Sequence, residues 1–267
     1  MSFAILFPTI DPVAIEFGPV VVRWYALAYI AGLVGGWQFI KYLATKFPGD
    51  ISEEAVDDFL FWATIGVVIG GRLGYVLFYN FDYFMSNPVA IVQVWKGGMS
   101  FHGGFLGVVV STYLFCKKQK LPVWTFGDIV ACGAPIGLFF GRIANFVNAE
   151  LFGRVTDVPW GVIFPRGGPE PRHPSQLYEA GMEGLILFII LFSLSRVESL
   201  RSKGGLFMGV FVAGYGVARA IVEIFRQPDS HIGFLSGGST MGQWLSVPMI
   251  VIGSILIVVA LRRKNEA

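Results

Sequence analysis

Seven apolar runs, each about as long as a bilayer crossing, leave this chain few ways to fold. A helix needs about 20 apolar residues to cross ~30 Å of hydrocarbon. Runs that satisfy this lie at roughly 19–40, 58–79, 98–116, 126–147, 177–195, 205–225 and 243–261. A further apolar stretch, Pro88–Trp95, is too short to span and is expected to lie at the interface or to dip in and return. Composition agrees. Of 267 residues 54% are hydrophobic and only 14% are charged, against roughly 25% charged in an ordinary soluble domain, and the mean hydropathy is +0.64. Disorder is excluded, since it requires low hydrophobicity and high charge. A disulfide scaffold is excluded by the presence of two cysteines only, Cys116 and Cys132, both inside apolar stretches. No cleavable signal peptide is evident, because Asp11 and Glu16 interrupt the first apolar residues. The expectation is an all-α, polytopic membrane protein of seven transmembrane helices. It forms a single membrane domain over residues 1–267, without internal repeats, and the Pro- and Gly-rich loop 148–176 is a candidate lid.

Basic residues orient the spans, because cytoplasmic loops accumulate Lys and Arg. Eleven of the 20 fall on one side: Lys41 and Lys46; Lys117, Lys118 and Lys120; Arg196, Arg201 and Lys203; Arg262, Arg263 and Lys264. The other side holds five: Lys96, Arg154, Arg166, Arg172 and Arg226. The C-terminus is therefore expected inside, with the N-terminus and loop 148–176 outside.

This topology brings most ionisable groups in apolar sequence to one depth, the outer half of the membrane. Arg23 and Tyr25 begin the first span, Arg72 ends the second, and His102 begins the third. Arg142, Asn145, Asn148 and Glu150 close the fourth, Tyr178 and Glu179 open the fifth, and Tyr215, Arg219, Glu223 and Arg226 end the sixth. One arginine at a helix centre costs about 2.5–3.5 kcal/mol on insertion scales, so several demand a reason. Arg142 and Asn145 share a helix face, as do Tyr215, Arg219, Glu223 and Arg226, and Arg219 can reach Glu223 one turn on. Arginine outnumbers carboxylate in this set. Two readings stand open: ion pairs that only hold helices together, or a site for an anion such as a phospholipid head group, which guanidinium forks grip well.

His102, within Gly97-Gly98-Met99-Ser100-Phe101-His102-Gly103-Gly104, also has two readings: a proton acceptor matched to neutral pH, or a residue at a helix start. His173 lies where Ser175 is expected to cap a helix with Glu179 in its first turn, a structural role. His231 is expected in an outer loop. Three scattered histidines make no zinc site. HExxH spacing, a GxSxG elbow and a Walker loop are all missing. Gly35-Gly36 and Gly70-Gly71 read as close helix packing.

The stretch Gly141-Arg142-Ile143-Ala144-Asn145-Phe146-Val147-Asn148-Ala149-Glu150-Leu151-Phe152-Gly153 resembles the signature of the bacterial prolipoprotein diacylglyceryl transferases. Arg23-Trp24-Tyr25, Gly97–Gly104, Arg172–Glu179, Tyr215–Asp229 and Ser239–Met249 resemble the family in order and spacing, so the likeness covers essentially the whole chain. The resemblance implies transfer of the diacylglyceryl group of phosphatidylglycerol to the lipobox cysteine thiol of a prolipoprotein still bearing its signal peptide. A thioether forms and glycerol phosphate leaves, at the outer face of the bacterial inner membrane, as the first step of lipoprotein maturation. It implies no cofactor or metal and no nucleic-acid partner. Arg142 and Arg219 are then expected at the phosphate and leaving group. Asn145, Glu150 and Gly153 shape the head-group site, Tyr25 and Tyr215 line it, and Glu223 orients Arg219. His102 is either the base or a substrate-positioning group beside an arginine field that itself lowers the thiol pKa. Competing readings are a transporter for an anionic lipid or solute, and a scaffold whose ion pairs only hold helices together.

Overall fold

The structure, a computed structural model, describes residues 5–8, 10–11, 13–18, 20–228 and 235–263. His231 and Lys264 lie outside the described residues. Each of the seven apolar runs lies mostly on helix: α1 (Trp24–Ala44), α2 (Glu53–Phe78), then, after the short α3 (Phe81–Ser86), α4 (Phe101–Gln119) and α5 (Val123–Val147). The fifth run is one continuous helical stretch built of α6 (Ser175–Glu179), a π-helical segment (Ala180–Ile186) and α7 (Leu187–Ser195). The short α8 (Glu198–Arg201) precedes α9 (Leu206–Val222) and α10 (Met241–Arg262). Among the described residues four helices are long and apolar enough to cross a membrane: α2, α5, Ser175–Ser195 and α10. The 17-residue α9 is a shorter apolar helix. The chain is thus a mostly helical, polytopic membrane protein.

The helix starts follow local chemistry. Ser52 accepts from the Ala55 amide at 3.1 Å ahead of α2, whose first turn carries Glu53 and Glu54. Ser100 does the same for α4 through Gly103, at 3.2 Å. Thr240 and Gln243 form a reciprocal capping box at the start of α10. The expected cap at Ser175 is not made. Pro174 holds the cap position, and the Ser175 hydroxyl donates to the Leu151 carbonyl at 3.1 Å. Fixing the turn after α5 takes precedence there over local capping.

The chain divides into two compact units, one comprising residues 1–40 and 128–267, the other residues 41–127. In the second, α2 and α4 run antiparallel along a stripe of small residues spaced by four: Gly66, Gly70 and Gly74 against Gly103, Gly107 and Ser111. A Cβ on Gly74 would lie 2.8 Å from the Gly103 Cα, and one on Gly70 2.8 Å from the Gly107 Cα. Of the glycines around His102, Gly103 thus serves close helix packing. The Pro88–Trp95 stretch forms two 3-10 turns, Pro88–Val92 and Val94–Lys96.

In the first unit, α1 packs antiparallel on α5 through Gly32 and Gly36 against Gly137 and Gly133. α9 packs antiparallel on α10 through Gly209, Gly216 and Gly253. Two small sheets precede and follow these helices. β1 (Ile5–Leu6) pairs in parallel with β4 (Val162–Ile163), and β2 (Val13–Phe17) pairs antiparallel with β3 (Val20–Arg23) immediately ahead of α1. Residues 148–174 form a packed cap whose core is Phe164, 1% exposed, against Phe7, Phe146 and Phe152.

Candidate active site

The alternation of helix direction in the first unit sets the end of α5, the start of α6 and the end of α9 together. Six charged side chains meet there. Glu179 is the hub: its Oε1 accepts from Arg219 Nη1 at 2.5 Å and from Arg226 Nη1 at 3.0 Å, and its Oε2 lies 3.3 Å from Arg142 Nη1. Glu183, four residues on and on the same face, accepts from Arg142 Nη2 at 3.3 Å and lies 3.9 Å from Arg219. Arg219 Nη2 pairs with Glu223 at 2.7 Å, as the i, i+4 spacing predicts. Glu183 sits within the π-helical segment, a rare geometry that tends to occur at functional sites.

Layering matters more than the pair list. The carboxylates of Glu179 and Glu183 are fully buried and that of Glu223 is 5% exposed, whereas the arginine side chains retain 11–17%. The carboxylates are the most deeply buried members of the cluster, and the arginine side chains keep most of its exposure. The expected surplus of arginine is not found within it: three arginines face three glutamates. Sequence reasoning missed Glu183 and gave Glu179 a merely structural place. The signal was present, since two carboxylates one turn apart in an apolar run must each have a cationic partner.

Asn145, Glu150 and Tyr25 lie beside this cluster. Asn145 Nδ2 donates to Glu150 Oε1 at 2.8 Å. Glu150 occupies a tight turn just past α5, between Ala149 (φ 52°) and Leu151 (φ 57°), both left-handed and neither glycine. Such strain persists only where surroundings enforce it. Here Gln176 Nε2 donates to the Glu150 carbonyl at 2.5 Å and Ser175 holds Leu151. The Tyr25 hydroxyl is 3.0 Å from that of Tyr29 and within electrostatic reach of Glu150 and Arg142. Tyr215 is buried, within reach of Arg142, Arg219, Glu179 and Glu183.

Gly153 supports this arrangement through its backbone. Its amide donates to the His173 carbonyl at 2.8 Å, its carbonyl accepts from Arg172, and a Cβ would lie 2.8 Å from the His173 carbonyl oxygen. Arg154 donates to the Glu223 and Arg226 carbonyls at 3.1 and 2.9 Å, capping the end of α9 with a cation where its dipole is negative. In the cap, Trp160 donates to the Tyr178 hydroxyl at 2.6 Å, and that hydroxyl lies 3.1 Å from His173 Nδ1. Partial burial, then the charge of Arg154, hold the His173 imidazole below its ordinary pKa of 6.5.

His102 and Arg72 belong to the other unit. His102 is exposed at the second residue of α4, and the cap of that helix is Ser100. Arg72, counted in sequence with the anion-site arginines, is caged by main-chain carbonyls. It donates to Ile91 at 2.8 Å, Gly97 at 2.5 Å, Gly98 at 3.0 Å, Ala90 at 2.6 Å and Gln93 at 3.4 Å, and stacks on Phe84. One buried carboxylate lies outside the groups that the sequence reading brought together. Asp128, buried near the start of α5, accepts from the Gly205 and Met208 amides at 2.7 and 2.8 Å and so caps the start of α9.

Fold and site together define a polytopic helical membrane protein with an arginine-edged, carboxylate-backed cluster at one end of a helix bundle. The family model for prolipoprotein diacylglyceryl transferase matches residues 12–259. The chain belongs to that family. It is similar to the phosphatidylglycerol–prolipoprotein diacylglyceryl transferase of Paramagnetospirillum magneticum, with 58% identity over 268 residues and all of both chains. The enzyme of that name from Rhodospirillum rubrum is 56% identical over all of this chain and 98% of its own. That from Azospirillum brasilense is 55% identical over 97% and 98%.

Proposed function

We propose that this chain transfers the diacylglyceryl group of phosphatidylglycerol to the lipobox cysteine thiol of a prolipoprotein, forming a thioether and releasing glycerol phosphate. The observation that carries the reading is the family match over residues 12–259, which includes every arginine and glutamate of the cluster. We propose further that all seven apolar helices span the bacterial inner membrane. The distribution of basic residues supports a C-terminus inside and an N-terminus outside, with the site in the outer half.

In this mechanism the accessible guanidinium edges of Arg142 and Arg219 receive the phosphate, and the carboxylates behind fix their planes. Asn145, Glu150, Tyr25 and Tyr215 shape the head-group site, with Gly153 in support. The thiolate attacks the glycerol carbon that bears the phosphate ester. The C–S bond forms, the C–O bond breaks with its electrons, and glycerol phosphate departs. Charge grows on the departing oxygen, where preoriented arginines stabilise the transition state more than the ground state. A thiol of ordinary pKa ~8.5 is mostly protonated at pH 7, so its proton needs an acceptor. His102 is proposed for this, or for positioning the substrate while the arginine field lowers the thiol pKa, and the proton ends on the leaving phosphate. The network is neutral at rest, so an added phosphate meets no excess of negative charge at the guanidinium edge. The loop 148–176 is proposed as a lid.

The test is reconstitution: purified protein in detergent, phosphatidylglycerol and a lipobox peptide, followed by mass spectrometry. A peptide heavier by one diacylglyceryl group, and unmodified when its cysteine is serine, is the expected result. An unchanged peptide from folded, lipid-supplied protein overturns the reading.

A further inference from the structure

The segment Ser239–Met249 has no part in the chemistry above, yet its first turn abuts the cluster. Thr240 and Gln243 cap α10, the Ser246 hydroxyl donates to the Gly242 carbonyl at 2.7 Å, and Trp244 Nε1 donates to Ser239 at 3.0 Å. This turn is therefore held in place on its own account. Gly242 faces the end of α9. A Cβ built there would lie 2.6 Å from the Glu223 carboxylate carbon and 2.7 and 2.9 Å from its two oxygens. Glu223 is itself buried, and its Oε2 lies 2.7 Å from Arg219 Nη2 as an ion pair.

We propose that Gly242 is a positioning residue: by lacking a side chain it reserves the space of the Glu223 carboxylate and thereby fixes the plane of the Arg219 guanidinium. The inference rests on the proposed role of Arg219 at the phosphate. The three atoms nearest the missing methyl all belong to the tip of one flexible side chain. An alanine at 242 is thus accommodated by moving that tip to an ordinary contact of about 3.5 Å, not by parting helices. Alanine is also the better helix former. Gly253, farther along α10, provides the contrast. A Cβ there meets the backbone of Ala213 and Gly209, and only a helix shift relieves it.

A double-mutant cycle tests this. Gly242→Ala in full-length protein is expected to lower kcat/KM for phosphatidylglycerol about tenfold or more, since misplacements near 1 Å have effects up to about a hundredfold. Its Tm should stay close to that of the unmodified chain, whereas Gly253→Ala should lower it. In a Glu223→Asp background, where the shorter carboxylate leaves room for the methyl, Gly242→Ala should change kcat/KM less than twofold. Full activity of Gly242→Ala overturns the proposal, as does an equal loss in both backgrounds or a fall in Tm like that of Gly253→Ala. A structure of Gly242→Ala distinguishes failure of this proposal from failure of the transferase reading. It should show the Arg219–Glu223 pair displaced whatever the activity, and an unmoved pair overturns the proposal.

Discussion

Gly71-Arg72 and Gly141-Arg142 are the same dipeptide in two apolar helices, and their arginines are put to opposite uses. Arg72, 6% exposed, donates to five main-chain carbonyls and covers an aromatic ring, so its charge is engaged by neutral dipoles and nothing else is asked of it. Arg142 is held by two carboxylates from behind and keeps an accessible edge. A caged arginine ties loops to a helix. A backed arginine presents charge. Asp128 mirrors Arg72 with the sign reversed, a carboxylate engaged by the amides that open α9.

The comparison breaks first at Glu179. Glu179→Gln removes the carboxylate that three arginines share, and losing one partner of a buried pair costs about 3–5 kcal/mol. Thermal unfolding should show a larger fall in stability for this variant than for Arg142→Lys or Asp128→Asn, with transferase activity abolished in the reconstituted assay. Next come paired lysine substitutions. Arg142→Lys keeps the charge that compensates Glu179 and Glu183 but loses the planar fork, so kcat/KM should fall about a hundredfold, a barrier change of about 2.7 kcal/mol, with a small change in Tm. Arg72→Lys should do the reverse. Carbonyls left without donors cost about 1–3 kcal/mol each, so Tm falls while folded protein keeps kcat/KM within about threefold. Loss of activity without loss of Tm in Arg72→Lys would erase the distinction between the two arginines.

Asp128→Asn sharpens the contrast at smaller scale. One cap bond is lost, worth about 1 kcal/mol, and activity should be unchanged in the same assay. The smallest effect is a pH slope. His173 binds its proton less tightly folded than unfolded. Just below pH 6.5 the unfolded chain therefore holds more protons, and stability falls as pH drops from 6.5 to the lowered folded value, then levels. Urea or thermal unfolding at several pH values should show the slope, and His173→Gln should flatten it.

Much of this was legible residue by residue. Apolar runs located the helices because span length and hydrophobicity are local quantities. Spacing located the Arg219–Glu223 pair, and Gly70-Gly71 announced close helix contact. What escaped was partnership across the fold. Glu183, one turn from Glu179, and Asp128, alone in an apolar run, each signalled a buried carboxylate needing a partner. Ser175 had the sequence of a cap and was taken by the turn at Leu151.

By itself the sequence determined a mostly helical membrane protein, the approximate positions of its apolar helices, and the family to which it belongs. Each of these depends on hydrophobicity, capping chemistry or motif order within a short window. Only the tertiary structure decided which arginine is caged and which is backed, that three arginines are balanced by three glutamates, and that Gly242 borders Glu223. A buried charge takes its meaning from groups tens of residues away along the chain, and the packing of helices in the first unit is what brings Arg142 and Arg219 each within 4 Å of the Glu179 carboxylate.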